Sequence, residues 1–151
     1  MSAEQPRRLV LVRHGAAESG EGVPDHQRRL TEDGERQAVD TGRWLAERIG
    51  PPDLVWCSSA VRARRTWAAI ERMLPARKLV VQQELYRATA GDVVDEVRRT
   101  TVGTMVVVGH NPTVEGALVA LTGARRGMRP SAAAVVDPDT GTLLDFWDPE
   151  G

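Results

Sequence analysis

The chain has 151 residues and a net charge of −1 at pH 7, with 41% hydrophobic and 27% charged residues. This length fits one domain with its own core, and the balanced charge argues against nucleic acid or a membrane as the main partner. The chain shows neither an apolar run of membrane-spanning length nor an N-terminal signal-peptide pattern, and its single cysteine, Cys57, excludes an internal disulfide, so we expect a soluble cytoplasmic protein.

Short apolar runs predict strands that are buried on both faces of a sheet. The predicted strands are Leu9–Arg13, Leu54–Cys57, Leu79–Gln82 and Met105–Gly109. Between and after these strands, apolar residues recur at helical spacing, which predicts four helices. The predicted helices are one beginning near Thr31 and ended by Gly50, one carrying Ala63, Trp67, Ile70 and Leu74 and stopped by Pro75, a weaker one from about Asp92 to Arg99, and one beginning at Pro112.

The alternation of strand and helix predicts an α/β fold with a mainly parallel sheet and helices on both faces. Near the C-terminus, Ala132–Asp137 and Thr142–Trp147 flank a turn, which is typical of a hairpin added at the edge of the sheet. We therefore expect a single-domain three-layer sandwich over residues 1–151, with residues 1–7 as a flexible N-terminus. The polar segment Ala16–Arg29 is too long for a tight connection and is predicted to be a flap.

Histidines and arginines follow several of the predicted strands. Arg13 and His14 come directly after the first strand, and His110 directly after the fourth. Arg62 falls in the first turn of the helix that follows the second strand. Ligands of open α/β sheets bind at the carboxyl ends of the strands, where arginine forks and helix N-termini favour a phosphoryl group. We therefore expect these side chains to form one phosphate pocket.

The two histidines indicate catalysis in addition to binding, because an imidazole beside a held phosphate can attack phosphorus. His14 is the predicted nucleophile, and Gly15 would let the backbone approach the phosphate or turn sharply. Arg13, Arg62 and His110 would hold the equatorial oxygens. A metallohydrolase that uses both histidines lacks a supporting cluster of ligands, so no metal is expected. The remaining candidates, interpreted as structural or solvated, are His26, Arg125, Arg126 and Arg129.

Four motifs in order resemble the histidine phosphatase superfamily, also called the phosphoglycerate mutase-like family. They are Leu11–Gly15, Leu30–Ala38, Ser58–Thr66 and Gly109–Pro112. The resemblance implies a nucleophilic His14, phosphate-binding roles for Arg13, Arg62 and His110 with Gly15 and Asn111 at the substrate, and neither metal nor cofactor. Within the superfamily the chain is most similar to SixA-type phosphohistidine phosphatases, since it is too short to carry a large cap and an open site suits a phosphorylated side chain on another protein.

Two positions depart from the family pattern. Ser59 stands where the family usually has a proline, and Arg65 stands where it often has a glutamine. The general acid is left open between Glu84, the nearest match to a glutamate of larger relatives, and Asp92. The expected reaction is hydrolysis of protein phosphohistidine through a phosphohistidine on His14, with Glu84 steering the water. The alternatives are a phosphatase of small phosphate esters, less readily a mutase, and a non-catalytic phosphate-binding module. The sequence predicts no oligomeric state.

Overall fold

A computed structural model describes residues 6–150 and contains six strands, five α-helices and a short 3₁₀ helix, Asp25–Gln27. The strands are β1 Arg8–Arg13, β2 Leu54–Ser58, β3 Leu79–Gln82, β4 Thr104–Gly109, β5 Ala133–Asp137 and β6 Thr142–Trp147. The helices are α1 Glu32–Ala46, α2 Val61–Glu71, α3 Gln83–Tyr86, α4 Ala90–Arg99 and α5 Thr113–Thr122. Of the predicted flexible N-terminus, residues 1–5 lie outside the described part of the chain.

All six strands form one mixed sheet in the order β3-β2-β4-β1-β5-β6. Strands β3, β2, β4 and β1 each run parallel to their neighbours among these four, and β5 runs antiparallel to both β1 and β6. The predicted parallel sheet with a C-terminal hairpin at its edge is therefore confirmed. Because β1 and β4 are adjacent and in register, with Arg13 opposite Gly109, the residues that follow these strands leave the sheet side by side.

Both faces of the sheet are covered, which makes the domain a three-layer sandwich. Leu9 and Leu11 of β1 point to the layer formed by α4 and α5, whereas Val10 and Val12 point to the layer formed by α1 and α2. The central strands are buried on both sides, so their apolar runs do not alternate with polar residues. No helix among residues 6–150 is long and apolar enough to cross a bilayer.

The helix boundaries differ from the sequence prediction where capping decides them. Thr31 is the N-cap of α1, as predicted, and its Oγ1 accepts the Gly34 N–H at 2.9 Å. The weak third helix begins at Ala90 instead of Asp92, because Thr89 and Asp92 form a reciprocal capping box. The last helix begins at Thr113, since Pro112 is its cap. The short helix α3 was not predicted, because its four residues are too few for a periodic pattern.

Candidate active site

The adjacency of β1 and β4 brings the two predicted histidines together. The ring centroids of His14 and His110 lie 5.1 Å apart, with an angle of 54° between the ring planes. The backbone continues the pairing past the strand ends, since the His14 N–H donates to the Gly109 carbonyl at 3.0 Å. Two imidazoles that are far apart in the chain thus lie side by side at the carboxyl edge of the sheet.

His14 is held with one ring nitrogen free. Its Nδ1 lies 2.7 Å from the carbonyl oxygen of Gly15, so the neutral ring carries its proton on Nδ1 and leaves the Nε2 lone pair available. Burial, with smaller contributions from the nearby His110, Arg62 and Arg13, lowers the pKa of His14 from the ordinary 6.5 to about 3. At neutral pH the ring is therefore uncharged and is able to act as a nucleophile.

His110 is oriented by Ser58, at the end of β2. Their Nε2 and Oγ atoms are 2.7 Å apart, and the Ser58 side chain is fully buried. The Ser58 Oγ also accepts the Ala60 N–H at 3.2 Å, and its hydroxyl proton is available for donation to His110 Nε2. In that arrangement neutral His110 carries its own proton on Nδ1. Burial lowers the pKa of His110 to about 4, which keeps the ring neutral at pH 7.

Arg62, in the first turn of α2, has a side chain that is only 7% exposed. Its terminal nitrogens donate to the carbonyl oxygen of Asp25 at 2.7 Å and to the Asp25 carboxylate at 3.0 Å. The Tyr86 hydroxyl donates to the same carboxylate at 2.6 Å. The Tyr86 hydrogen bond, together with Arg28 and Arg62, holds the pKa of Asp25 well below its usual range. The predicted flap thus lies against the site through Asp25.

Arg13, the last residue of β1, is fixed by the loop that follows α5. One terminal nitrogen donates to the Met128 carbonyl at 3.0 Å, and burial lowers the pKa of the guanidinium. The Asn111 amide donates to the same carbonyl at 2.9 Å and to Glu115 at 2.8 Å. The side-chain N–H groups of Asn111 therefore bind Met128 of this loop and Glu115 of α5, so its observed contacts are structural.

Gly15 is required by close packing. A Cβ added at this position would lie 2.9 Å from the Ser131 Oγ and 3.0 Å from the Gly34 carbonyl oxygen. The Gly15 N–H donates to the Thr66 Oγ1 at 2.8 Å, and its carbonyl accepts from His14. Both polar backbone groups of Gly15 are thus used within the protein, so its contribution in this structure is to hold the His14 ring.

Several buried polar atoms around His14 have no hydrogen-bond partner within residues 6–150. They are the Nε atoms of Arg13 and Arg62, the Nδ1 of His110 and the Oγ of Ser131. A buried donor left unpaired costs about 1–3 kcal/mol, and such atoms are rare in folded proteins. Their concentration at one edge of the sheet indicates a place for an anion that accepts from them.

The structure shows different surroundings for the two candidates for the general acid. Glu84 is exposed on α3, and its side chain makes no hydrogen bond within the described residues. The Asp92 carboxylate accepts the Thr89 N–H at 3.0 Å in the capping box of α4. Neither carboxylate forms a hydrogen bond with His14 or His110, and the identity of the acid stays a prediction. Nor do any three His, Cys, Asp or Glu side chains of residues 6–150 form a group that could hold a metal.

The sequence interpretation missed Ser58, Asp25 and Tyr86, and it treated His26 as structural. His26 lies at the rim of the site, with its Nε2 2.7 Å from the Ser59 Oγ and its ring on the edge of Tyr86 at 4.9 Å. Tyr86 in turn lies 5.5 Å from the His110 ring. Only the position of Ser58, at the end of a predicted strand, was a signal visible in the sequence.

Comparison with known proteins gives a consistent result. The sequence matches the Histidine phosphatase superfamily (branch 1) over residues 9–93. An uncharacterized protein of Mycobacterium tuberculosis is 38% identical over 112 residues, which are 73% of this chain and 69% of that protein. A structure assigned as phosphohistidine phosphatase SixA from Agrobacterium tumefaciens has a TM-score of 0.86 at 32% identity, covering 97% of this chain and 100% of that chain. Its counterpart from Nakamurella multipartitia has a TM-score of 0.85 at 30% identity, covering 99% and 100%.

Proposed function

Because the chain belongs to the histidine phosphatase superfamily, we propose that it is a phosphatase whose substrate is phosphohistidine on a protein. The observation that carries this proposal is the set of unpaired buried donors around a neutral His14. A phosphoryl group has oxygens that accept from such donors. The similarity to two proteins assigned as SixA phosphohistidine phosphatases, at 32% and 30% identity, supports the choice of substrate.

In the first step, Arg13, Arg62 and His110 bind the phosphoryl oxygens, and the Nε2 of His14 attacks phosphorus. A new P–N bond forms on His14 while the P–N bond of the substrate breaks. The leaving imidazole nitrogen takes up a proton from water at the open site, so the substrate is released as neutral histidine. In the second step, water attacks the phosphorus of the phosphoenzyme, which releases inorganic phosphate and restores His14.

The protonation states of the two histidines fit these separate roles. His14 presents a lone pair, because its Nδ1 proton is bound to the Gly15 carbonyl. His110 presents a proton, because Ser58 occupies its Nε2. A preorganised donor aimed at developing negative charge contributes on the order of 3 kcal/mol to catalysis. Both groups act as neutral imidazoles, consistent with pKa values of about 3 and about 4.

The test is a labelling experiment with a protein that carries ³²P-phosphohistidine. The wild-type enzyme should take up the label and then lose it by hydrolysis, whereas His14→Ala should neither be labelled nor turn over. His26→Ala is the matched control, because this histidine borders the site and is not the proposed nucleophile. Labelling of His14→Ala at the wild-type level would eliminate the assigned nucleophile.

A substrate panel tests the chemical class. The panel compares phosphohistidine protein with sugar and glycerate phosphates at equal concentration. We expect the highest kcat/KM for phosphohistidine, because an open site admits a side chain on another protein and the P–N bond breaks readily once its nitrogen is protonated. A higher kcat/KM for a small phosphate ester would overturn this choice of substrate.

A further inference from the structure

A groove lies beside the phosphate pocket, between α2 and the segment made of the end of the 3₁₀ helix and the residues after it. One wall is a single stripe of α2 at helical spacing, and the other wall is the segment 26–29. The cavity measures about 720 Å³. Its lining residues are His26, Gln27, Arg29, Val61, Arg64, Arg65 and Ala68. No acidic side chain lines it, and three of its seven lining residues are arginines.

The three arginines of the groove have no carboxylate within 4.0 Å among the described residues, whereas nine of the other sixteen arginines have one. Arg29 and Arg65 are exposed, and Arg64 donates from its Nε to the Ser59 carbonyl at 2.9 Å. The groove therefore presents the positive charge of three arginines that no carboxylate of the described residues approaches within 4.0 Å.

The groove borders the residues of the phosphate pocket. His26 lines the groove, and its ring lies 4.9 Å from the Tyr86 ring, which in turn lies 5.5 Å from the His110 ring. The preceding residue, Asp25, holds the Arg62 guanidinium. Val61, the first residue of α2, lines the groove directly before Arg62. A side chain whose phosphoryl group is bound by Arg62 would thus place its flanking residues at the mouth of the groove.

We propose that this groove binds an acidic segment of the phosphorylated protein, next to the phosphohistidine. This proposal rests on the function proposed above and names the kind of protein that the site selects. A long polyanion such as nucleic acid fits less well, because Arg29 and Arg65 also line a neighbouring cavity with Glu18, Glu32 and Glu35, which ends the positive surface on that side. The positive charge is confined to a short groove, which matches a few carboxylates of a peptide.

The test uses two phosphohistidine peptides, one with Asp and Glu beside the phosphohistidine and one with Ser and Gly, together with para-nitrophenyl phosphate. The variant is Arg29→Gln with Arg65→Gln, which removes two charges and leaves Arg64 on the Ser59 carbonyl. The control is Arg98→Gln, an exposed arginine on α4 in the layer on the other side of the sheet. All proteins keep the intact chain.

The wild-type enzyme should prefer the acidic peptide, and the double variant should lose roughly fivefold in kcat/KM on that peptide through KM, as exposed charge pairs of modest strength allow. Rates on the neutral peptide and on the aryl phosphate should not change, and about 1 M salt should remove the preference. Equal wild-type kcat/KM for both peptides would overturn the groove proposal, and so would an equal loss in Arg98→Gln. If the wild-type enzyme hydrolyses the aryl phosphate but neither phosphohistidine peptide, the proposed function itself is refuted.

Discussion

Replacing Ser58 by alanine tests whether a buried hydroxyl sets the tautomer of His110. In the wild-type protein the Ser58 Oγ lies 2.7 Å from His110 Nε2, and the His110 Nδ1 is buried without a partner in residues 6–150. Without the hydroxyl, nothing within the described residues fixes the proton on Nδ1. The ring is then free to turn its lone pair toward the phosphoryl oxygens and repel them.

The expected loss lies between two limits. Removing one buried hydrogen bond costs about 1 kcal/mol, which is roughly a fivefold fall in kcat/KM. If His110 stops donating to the phosphoryl group altogether, the loss is that of one catalytic donor, about 3 kcal/mol or roughly 150-fold. We therefore expect Ser58→Ala to retain measurable activity while losing between about 5-fold and 150-fold.

The assay combines kinetics with ¹⁵N NMR of the imidazole nitrogens. Wild-type His110 should be protonated on Nδ1, and Ser58→Ala should shift part of the population to Nε2–H. Ser59→Ala is the matched control, because it removes the neighbouring hydroxyl, which contacts His26 and not His110. A wild-type proton on Nε2, or full turnover by Ser58→Ala, would refute the reasoning.

The remaining predictions concern the general acid and the effect of pH. Glu84→Gln should keep kcat/KM within about twofold, as is usual for a surface residue, and a collapse of turnover in this variant would support its catalytic role. Asp92→Ala should lower the free energy of unfolding through loss of the capping box, without changing turnover. Acidification from pH 7 to pH 5 should destabilise the protein, because unfolded histidines with a pKa of 6.5 bind protons that folded His14 and His110, with pKa values of about 3 and about 4, do not. Stability is thus lost as pH falls below 6.5, by about 2 kcal/mol per histidine at pH 5; urea unfolding of the wild type and of His14→Asn measures this share, and equal stability of the wild type at both pH values would contradict it.

The sequence determined the layers of the fold because their signals are local. The buried strands were recognisable as short apolar runs, and Thr31 was recognisable as a helix cap by its residue type. The parallel sheet then required the residues after β1, β2 and β4 to meet at one edge, so the pairing of His14 with His110 was predictable before any coordinates. The boundaries that were missed depend on capping bonds, which apolar periodicity does not register.

Only the tertiary structure decided which partners fix the histidines and Arg62. The hydrogen bond from Ser58 to His110 joins residues 52 positions apart, and that from Arg62 to Asp25 joins residues 37 positions apart. Neither follows from a local pattern, because the partner of a buried polar atom is set by which elements pack beside it. The sequence by itself placed the reactive groups at one edge of the sheet, and the packing of β2 and of the segment before α1 against that edge assigned their protons and orientations.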